Sequence, residues 1–211
     1  MTIDEYIESH CSPEDELLHD LYRATNVHLL RPRMASGHVQ GSFLRMLVGL
    51  TGVRRVLEIG TFSGYATLCM AAALPEGGKI VTYEVNDEQE EFTRPWFERS
   101  PWNDRIDFRI GDALELLPDA LADGDAPFDM AYVDGNKRQY TAYYERILPL
   151  LRKGGLYIAD NTLWSDHVID SHYHDAQTEG IRHFNNLVAH DERVETVLLP
   201  LRDGLTLIRK K

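Results

Sequence analysis

At 211 residues, with 43% hydrophobic content, the chain can bury a full core and most simply makes one domain. Asp and Glu number 34 against 22 Lys and Arg, a formal net charge of -12 that opposes non-specific attraction to phosphate backbones or anionic lipid, although a local basic patch remains open. Only Cys11 and Cys69 are present, with neither metal-ligand spacing nor a disulfide framework, which fits a reducing compartment. Cys69, inside the apolar stretch Leu68 to Leu74, reads as a buried small hydrophobe. No stretch approaches the roughly 20 apolar residues of a spanning helix, and Met1 to Glu8 is acidic and lacks the apolar segment of a signal peptide. A soluble cytoplasmic protein is expected.

In chain order, Ser12-Pro13-Glu14-Asp15 reads as an N-cap, a proline at the first helical position and an acidic first turn, opening a helix toward Ala24. A second helix is expected from Gly37, with Phe43, Leu44, Leu47 and Leu50 on one face, ending at Gly52. From Val53 a regular alternation begins: strand Arg55 to Ile59, helix Tyr65 to Leu74, strand Lys79 to Glu84, helix Glu88 to Arg99, strand Arg105 to Ile110 and helix Ala113 to Ala122. Strand Phe128 to Asp134, helix Gln139 to Leu151 and strand Leu156 to Asp160 follow. Alternating strand and helix predicts a doubly wound parallel sheet with right-handed crossovers. Arg193 to Leu199 and Leu205 to Arg209, joined through Pro200 to Gly204, predict an antiparallel hairpin at one edge, with Asp203-Gly204 as its turn.

Ligands of such sheets bind outside the carboxyl ends of the strands. After the first strand, Gly60 and Gly64 flank Thr61-Phe62-Ser63, where glycines admit close backbone approach and a helix N-terminus adds donors. The G-x-x-x-G spacing is neither the dinucleotide fingerprint nor a P-loop, and a tight turn needs glycine for structural reasons alone. Glu84, ending the second strand, is placed to accept from both ribose hydroxyls of an adenosine-bearing cofactor, with helix capping near Asn86 as the alternative.

Val56-Leu-Glu-Ile-Gly-Thr-Phe-Ser-Gly-Tyr65, together with Asp134-Gly-Asn-Lys-Arg-Gln-Tyr140 and Ala159-Asp-Asn-Thr-Leu-Trp164, resembles the cation-dependent class I S-adenosylmethionine O-methyltransferases, the caffeoyl-CoA and catechol O-methyltransferase family. The resemblance runs from about Met34 to the end, including Ile181-Arg-His-Phe-Asn185 and Leu199-Pro-Leu-Arg-Asp-Gly-Leu205. It implies a Rossmann-like, mostly parallel seven-stranded α/β sheet over residues 53–211 behind an N-terminal helical cap, 1–52. The implied cofactor is S-adenosyl-L-methionine, with Gly60 to Tyr65 near its methionine moiety, Glu84 and Val85 at the ribose, and Gly111, Asp112 and Ala113 beside the adenine. Glu58 matches the family's first-strand acid, usually tied to backbone in the cofactor loop. Met34-Ala-Ser-Gly-His38 matches the segment closing over the site, with Ser36 toward the methionine end, Met34 toward the methyl-transfer centre and His38 as a polar rim residue.

By the same resemblance Asp134, Asp160 and Asn161 hold one divalent cation, and Asp134 is also expected to border the cofactor and to take part in catalysis with Lys137. Three hard oxygen donors at strand ends suit Mg²⁺, Mn²⁺ or Ca²⁺, whereas zinc would want His or Cys; Asp-Asn also makes good turns, which leaves structural capping open. Lys137 matches the general base and is alternatively a surface lysine at a helix start. Family members often have an acid where Asn136 stands, so the charge beside Lys137 differs here. The stretch His167, His172 and His174 lies in the substrate-specificity loop and is expected, with Trp164 and Tyr173, to shape an acceptor pocket rather than bind a second metal.

The expected activity is methyl transfer to a vicinal dihydroxy aromatic small molecule. The alternatives are a tRNA methyltransferase acting on a hydroxylated wobble uridine, against which net acidity counts, and a catalytically silent cofactor-binding protein, against which the intact Asp134, Lys137, Asp160 and Asn161 count. Nucleic acid is otherwise not an expected partner, nor is a membrane. A homodimer is, as family members commonly are, with Tyr6, Ile7, Leu17, Leu18 and Leu21 offering apolar surface.

Overall fold

The computed structural model describes residues 1–120 and 126–211. Helix α1 (Ile3–Ser9) is closed by a capping box between Thr2 and Glu5 and buries no side chain. Helix α2 (Glu16–His28) starts later than expected and runs past Ala24, because Asp15, not Ser12, is the cap and accepts from the Leu17 amide at 3.0 Å. Helix α3 (Gly37–Thr51) ends as expected at Gly52, which takes the left-handed conformation.

The alternating part contains β1 (Arg55–Ile59), α4 (Tyr65–Ala73), β2 (Lys79–Glu84), α5 (Gln89–Arg99), β3 (Ile106–Ile110), α6 (Ala113–Leu116), β4 (Phe128–Val133), α7 (Tyr140–Ile147) and β5 (Leu151–Asp160). Proline shortens two helices relative to expectation. α6 passes after one turn into a 3-10 turn containing Pro118, and α7 stops before the 3-10 turn containing Pro149, since proline has no N–H to continue the ladder. The expected end of α6, Leu121 and Ala122, lies outside the described residues. Helix α8 (Ala176–Ala189) was not among the expected elements, although Asp175 caps it and Ile181, Phe184 and Val188 form its buried stripe. The chain closes with β6 (Val194–Leu199) and β7 (Leu205–Lys210).

The seven strands are ordered β3-β2-β1-β4-β5-β7-β6, with the first five parallel and the β7-β6 hairpin antiparallel. Strand β1 reads as an apolar run because both its faces are covered. Leu57 and Ile59 join Val81, Val133 and Tyr157 in a core shared with α7 and α8, while Val56 joins Ile80, Met130 and Ile158 beneath α3 and α4. Leu18 and Leu21 of α2 pack with Tyr65, Leu68 and Phe97. These two leucines are therefore core and not a free dimerisation surface, whereas Tyr6 and Ile7 of α1 are exposed. Among the described residues no helix is long and apolar enough to cross a membrane.

From β1 the chain steps to β2 on one side, and β4 lies on the other. The crevice beyond the carboxyl ends of β1 and β4 is thus the topological switch point, where open α/β sheets bind ligands.

Candidate active site

The first wall of the crevice is the turn after β1. Gly60 has φ 94°, and a Cβ there would lie 2.2 Å from the Asp134 carbonyl oxygen, so only glycine lets the β1 and β4 ends approach this closely. The turn is pinned on several sides. The Phe62 amide, held at φ 47°, donates to Glu84 Oε2 at 2.8 Å, and the Asn86 amide donates to Glu84 Oε1 at 3.0 Å. The Thr93 hydroxyl donates to the Phe62 carbonyl at 2.6 Å, and the Thr61 and Thr82 hydroxyls bond at 2.6 Å. Glu84 therefore sits at the end of β2 with both oxygens fixed by backbone; α5 begins beyond it at Gln89, so Glu84 does not cap that helix.

A cavity of about 820 Å³ opens above this turn. Of the expected cofactor residues, Met34, Gly60, Phe62, Glu84, Val85, Gly111, Asp112, Ala113 and Asp134 line it. Asp112 also caps α6, accepting from the Leu114 amide at 2.8 Å. Ser36, Glu58, Thr61, Ser63, Gly64 and Tyr65 do not line the cavity. Gly64, at φ 83°, is the cap residue of α4. The Tyr65 hydroxyl donates to Glu14, and the Ser36 hydroxyl is 3.4 Å from that of Tyr132. Glu58 is fully buried, and its partner is a side chain of α4, not loop backbone: the Thr67 hydroxyl donates to Oε2 at 2.5 Å, while Oε1 has none. Burial pushes its pKa up to about 8, against the Thr67 and Thr82 hydroxyls.

The second wall follows β4 and β5. Asp134, Lys137, Asp160 and Asn161 all line the cavity. Lys137 is buried in the 3-10 turn after β4, where Nζ donates to Asp134 Oδ1 at 2.6 Å and to the Tyr140 hydroxyl at 2.7 Å. Tyr140 in turn donates to the Asp160 carbonyl at 2.8 Å. On the far side of Asp160, Oδ2 accepts from Gln40 Nε2 at 2.5 Å and from the Tyr132 hydroxyl at 2.7 Å, and Oδ1 accepts from the Asn161 amide at 2.7 Å. Asn161 is left-handed, at φ 57°, which turns the chain sharply at the strand end. Burial holds the Asp134 carboxyl up at about 6, opposed by the Lys137 ammonium and reinforced by the negative charge of Asp160. Two carboxylates beside an amide side chain form a hard oxygen set that fits a divalent cation of the Mg²⁺, Mn²⁺ or Ca²⁺ type. Among the described residues no group of three or more His, Cys, Asp or Glu converges.

The histidines after Trp164 have local partners: His167 stacks on Tyr173 with centroids 3.5 Å apart, His172 meets Asp170 at 2.8 Å, and His174 meets Glu179 at 3.1 Å. Trp164 lines the cavity; Tyr173 does not. His38 is tethered to the Ser12 carbonyl at 2.8 Å. Asp203 does more than turn the hairpin, since its carboxylate accepts from the Ser165 amide at 2.5 Å and anchors the loop behind Trp164.

Sequence reading missed Gln40, Tyr132, Tyr140 and Arg202. Arg202 donates to the carbonyls of Ala35 and Ser36 and to Gln40 Oε1 at 3.3 Å, joining the β6-β7 hairpin to the segment around Met34. Tyr140 stands inside a motif that sequence had singled out. Gln40 is the one long polar side chain on the buried side of α3, and that was its only signal.

The O-methyltransferase family profile matches residues 8–211. The chain is 40% identical over 185 residues to caffeoyl-CoA O-methyltransferase 2 of Zea mays, covering 84% of this chain and 70% of that protein. It is 41% identical over 172 residues to catechol O-methyltransferase domain-containing protein 1 of Mus musculus, covering 81% and 66%. The crystal structure of the O-methyltransferase from Bacillus cereus in complex with SAH superposes with a TM-score of 0.91 at 33% identity, over 99% of this chain and 97% of that one. The crevice at the switch point, its acidic far wall and these likenesses agree: this chain belongs to the O-methyltransferase family and is an S-adenosylmethionine-dependent O-methyltransferase.

Proposed function

We propose that the chain methylates one hydroxyl of a vicinal dihydroxy aromatic small molecule, with a single divalent cation held by Asp134, Asp160 and Asn161. The observation that carries this reading is the meeting of those three oxygen-bearing side chains and the Lys137 amine in the same cavity as Glu84 and the Gly60 turn. The activity named for the maize relative, caffeoyl-CoA O-methylation, supports the acceptor class.

An unperturbed phenol has a pKa near 10, so only about one part in a thousand is ionised at neutral pH. The cation would supply positive charge that favours the ionised diol. The protein's own residues do the rest. Glu84 accepts from the cofactor's ribose hydroxyls, and its fixed oxygens need no reorganisation to do so. As the free amine, Lys137 takes the acceptor's proton on the Nζ lone pair, while its two N–H bonds to Asp134 and Tyr140 hold it at the cavity wall. The methyl carbon then forms its bond to the acceptor oxygen as its bond to the sulfonium sulfur breaks, and Met34 and Trp164 wall the space in which donor and acceptor are held together. Self-association into a homodimer belongs to the same reading, with the exposed Ile3, Tyr6 and Ile7 of α1 as its apolar support.

The test is methyl transfer from S-adenosylmethionine to a catechol panel that includes caffeoyl-CoA and 3,4-dihydroxybenzoate, with Mg²⁺, with Mn²⁺ and with excess EDTA. Transfer that disappears with EDTA is expected. Undiminished transfer in EDTA would remove the cation, and cofactor binding with no transfer would remove the acceptor class.

A further inference from the structure

The cavity's charge is opposite in tendency to that of the whole chain. Against a formal charge of -12, five cationic side chains and four carboxylates line it. The carboxylates are all engaged by the chain's own donors: Glu84 and Asp112 by backbone amides, Asp134 by Lys137, and Asp160 by Gln40 and Tyr132. Two of the cations, Lys137 and Arg202, are likewise committed to protein acceptors.

Arg31, Arg33 and Arg138 are not. All three residues line the cavity and are exposed, and their side chains have no hydrogen-bond or ion-pair partner among the described residues. Elsewhere on this surface arginines find carboxylates readily, as Arg94 does with Glu90, Arg152 with Asp129 and Arg209 with Glu195. The three come from two segments that bracket the reacting centre. Arg33 immediately precedes Met34, and Arg138 immediately follows Lys137. Arg31 is held in the left-handed conformation, φ 58°, at the turn that leads into the Pro32–Met34 segment. Planar guanidinium groups match carboxylate and phosphate oxygens bidentately, and a cavity with partnered acids and unpartnered arginines attracts an anion.

We infer that Arg31, Arg33 and Arg138 form an anion subsite, and that the methyl acceptor carries a negatively charged group, carboxylate or phosphate, away from its reacting hydroxyls. The inference rests on the acceptor reading proposed above and narrows it from catechols in general to anionic ones.

The experiment compares 3,4-dihydroxybenzoate with its neutral methyl ester, and caffeate with caffeoyl-CoA, in the full-length protein and in the triple variant Arg31→Gln/Arg33→Gln/Arg138→Gln. Turnover and calorimetric affinity are both measured, the latter also for S-adenosylmethionine. The expected result is a kcat/KM preference of about tenfold or more for acid over ester, expressed in KM, weakened by added salt, and reduced toward unity in the triple variant while cofactor affinity holds. A preference for caffeoyl-CoA over caffeate assigns the anion to phosphate, and the reverse assigns it to carboxylate.

Equal use of acid and ester, with no arginine-dependent preference between caffeate and caffeoyl-CoA, overturns the subsite while the O-methyl transfer to catechols stands. A loss of S-adenosylmethionine affinity in the triple variant overturns it too, because the arginines would then serve the cofactor's own carboxylate. If no catechol is methylated but the acid still binds more tightly than the ester in an arginine-dependent way, the subsite stands and the catechol reading falls. Methylation of a hydroxylated uridine in tRNA, with the steep salt dependence of phosphate contacts, would overturn the small-molecule acceptor.

Discussion

Gln40 and Asp160 are 120 positions apart in the chain, and in the fold the Gln40 amide donates to the Asp160 carboxylate at 2.5 Å. The same amide reaches the Tyr132 hydroxyl at 2.9 Å, and its oxygen accepts from Arg202. One helix of the N-terminal cap therefore orients a carboxylate at the end of β5. The orientation is shared with the hairpin that carries Arg202.

Replacing Gln40 with Leu keeps the bulk and deletes the donor. Divalent-cation affinity, measured by calorimetry with Mn²⁺, is expected to fall by about 10–100-fold, the usual cost of losing an outer-shell partner. Thermal stability should fall by about 1–3 kcal/mol, because the Arg202 and Asp160 groups lose a buried partner. Unchanged cation affinity would show that Tyr132 alone holds Asp160.

Glu84→Ala removes the acceptor for the Phe62 amide together with the carboxylate proposed to bind the ribose. Affinity for S-adenosylmethionine should weaken by about tenfold or more through lost charge-assisted hydrogen bonds. Equal affinity by calorimetry would move the cofactor elsewhere.

Lys137→Ala should lower kcat more than it weakens acceptor binding, as expected of a residue that acts in the transition state. Steady-state kinetics on a methylated catechol separate the two. A raised KM with kcat intact would make Lys137 a binding residue.

Gly60→Ala forces a Cβ to within 2.2 Å of the Asp134 carbonyl at a φ of 94°. Strain of that kind costs on the order of 3 kcal/mol or more, and the variant should lose cofactor binding along with stability. Gly49→Ala is the internal control: nothing lies within 4 Å of its Cβ in helix α3, and it should gain about 0.5–1 kcal/mol. Equal melting temperatures for the two variants would contradict the close approach of β1 and β4.

Glu58 makes the cofactor-free protein's stability depend on pH. Its folded pKa of about 8 lies above the ordinary 4.5, so the folded state binds the extra proton between those values. Stability from this group is full below about pH 4.5 and is lost as pH rises toward 8, with a slope of up to about 1.4 kcal/mol per pH unit. Glu58→Gln should flatten that part of a denaturant-melt pH profile. A variant profile parallel to the wild type over pH 5–8 would mean that Glu58 stays ionised when buried.

The sequence by itself determined the alternation of strands and helices, the hairpin at the end and the strand-end positions of Gly60, Glu84, Asp134, Asp160 and Asn161. Those features are local: a run buried on both faces must be apolar, and the residue that ends it is where polarity resumes. Where a local signal is ambiguous, sequence and structure differ: Asp15 and not Ser12 caps α2, and α8 forms on a stripe with no assignment from sequence. Only the tertiary structure decided which residues hold the site's residues in place. Gln40, Tyr132, Tyr140 and Arg202 meet Asp160 and the Met34 segment from four separate elements, and Leu18 and Leu21 turn inward to Phe97 instead of outward to a partner. Nothing in the spacing of a helix or strand encodes such meetings. They exist because β1, β4 and β5 lie side by side, and the order of strands in the sheet is a property of the whole packed chain.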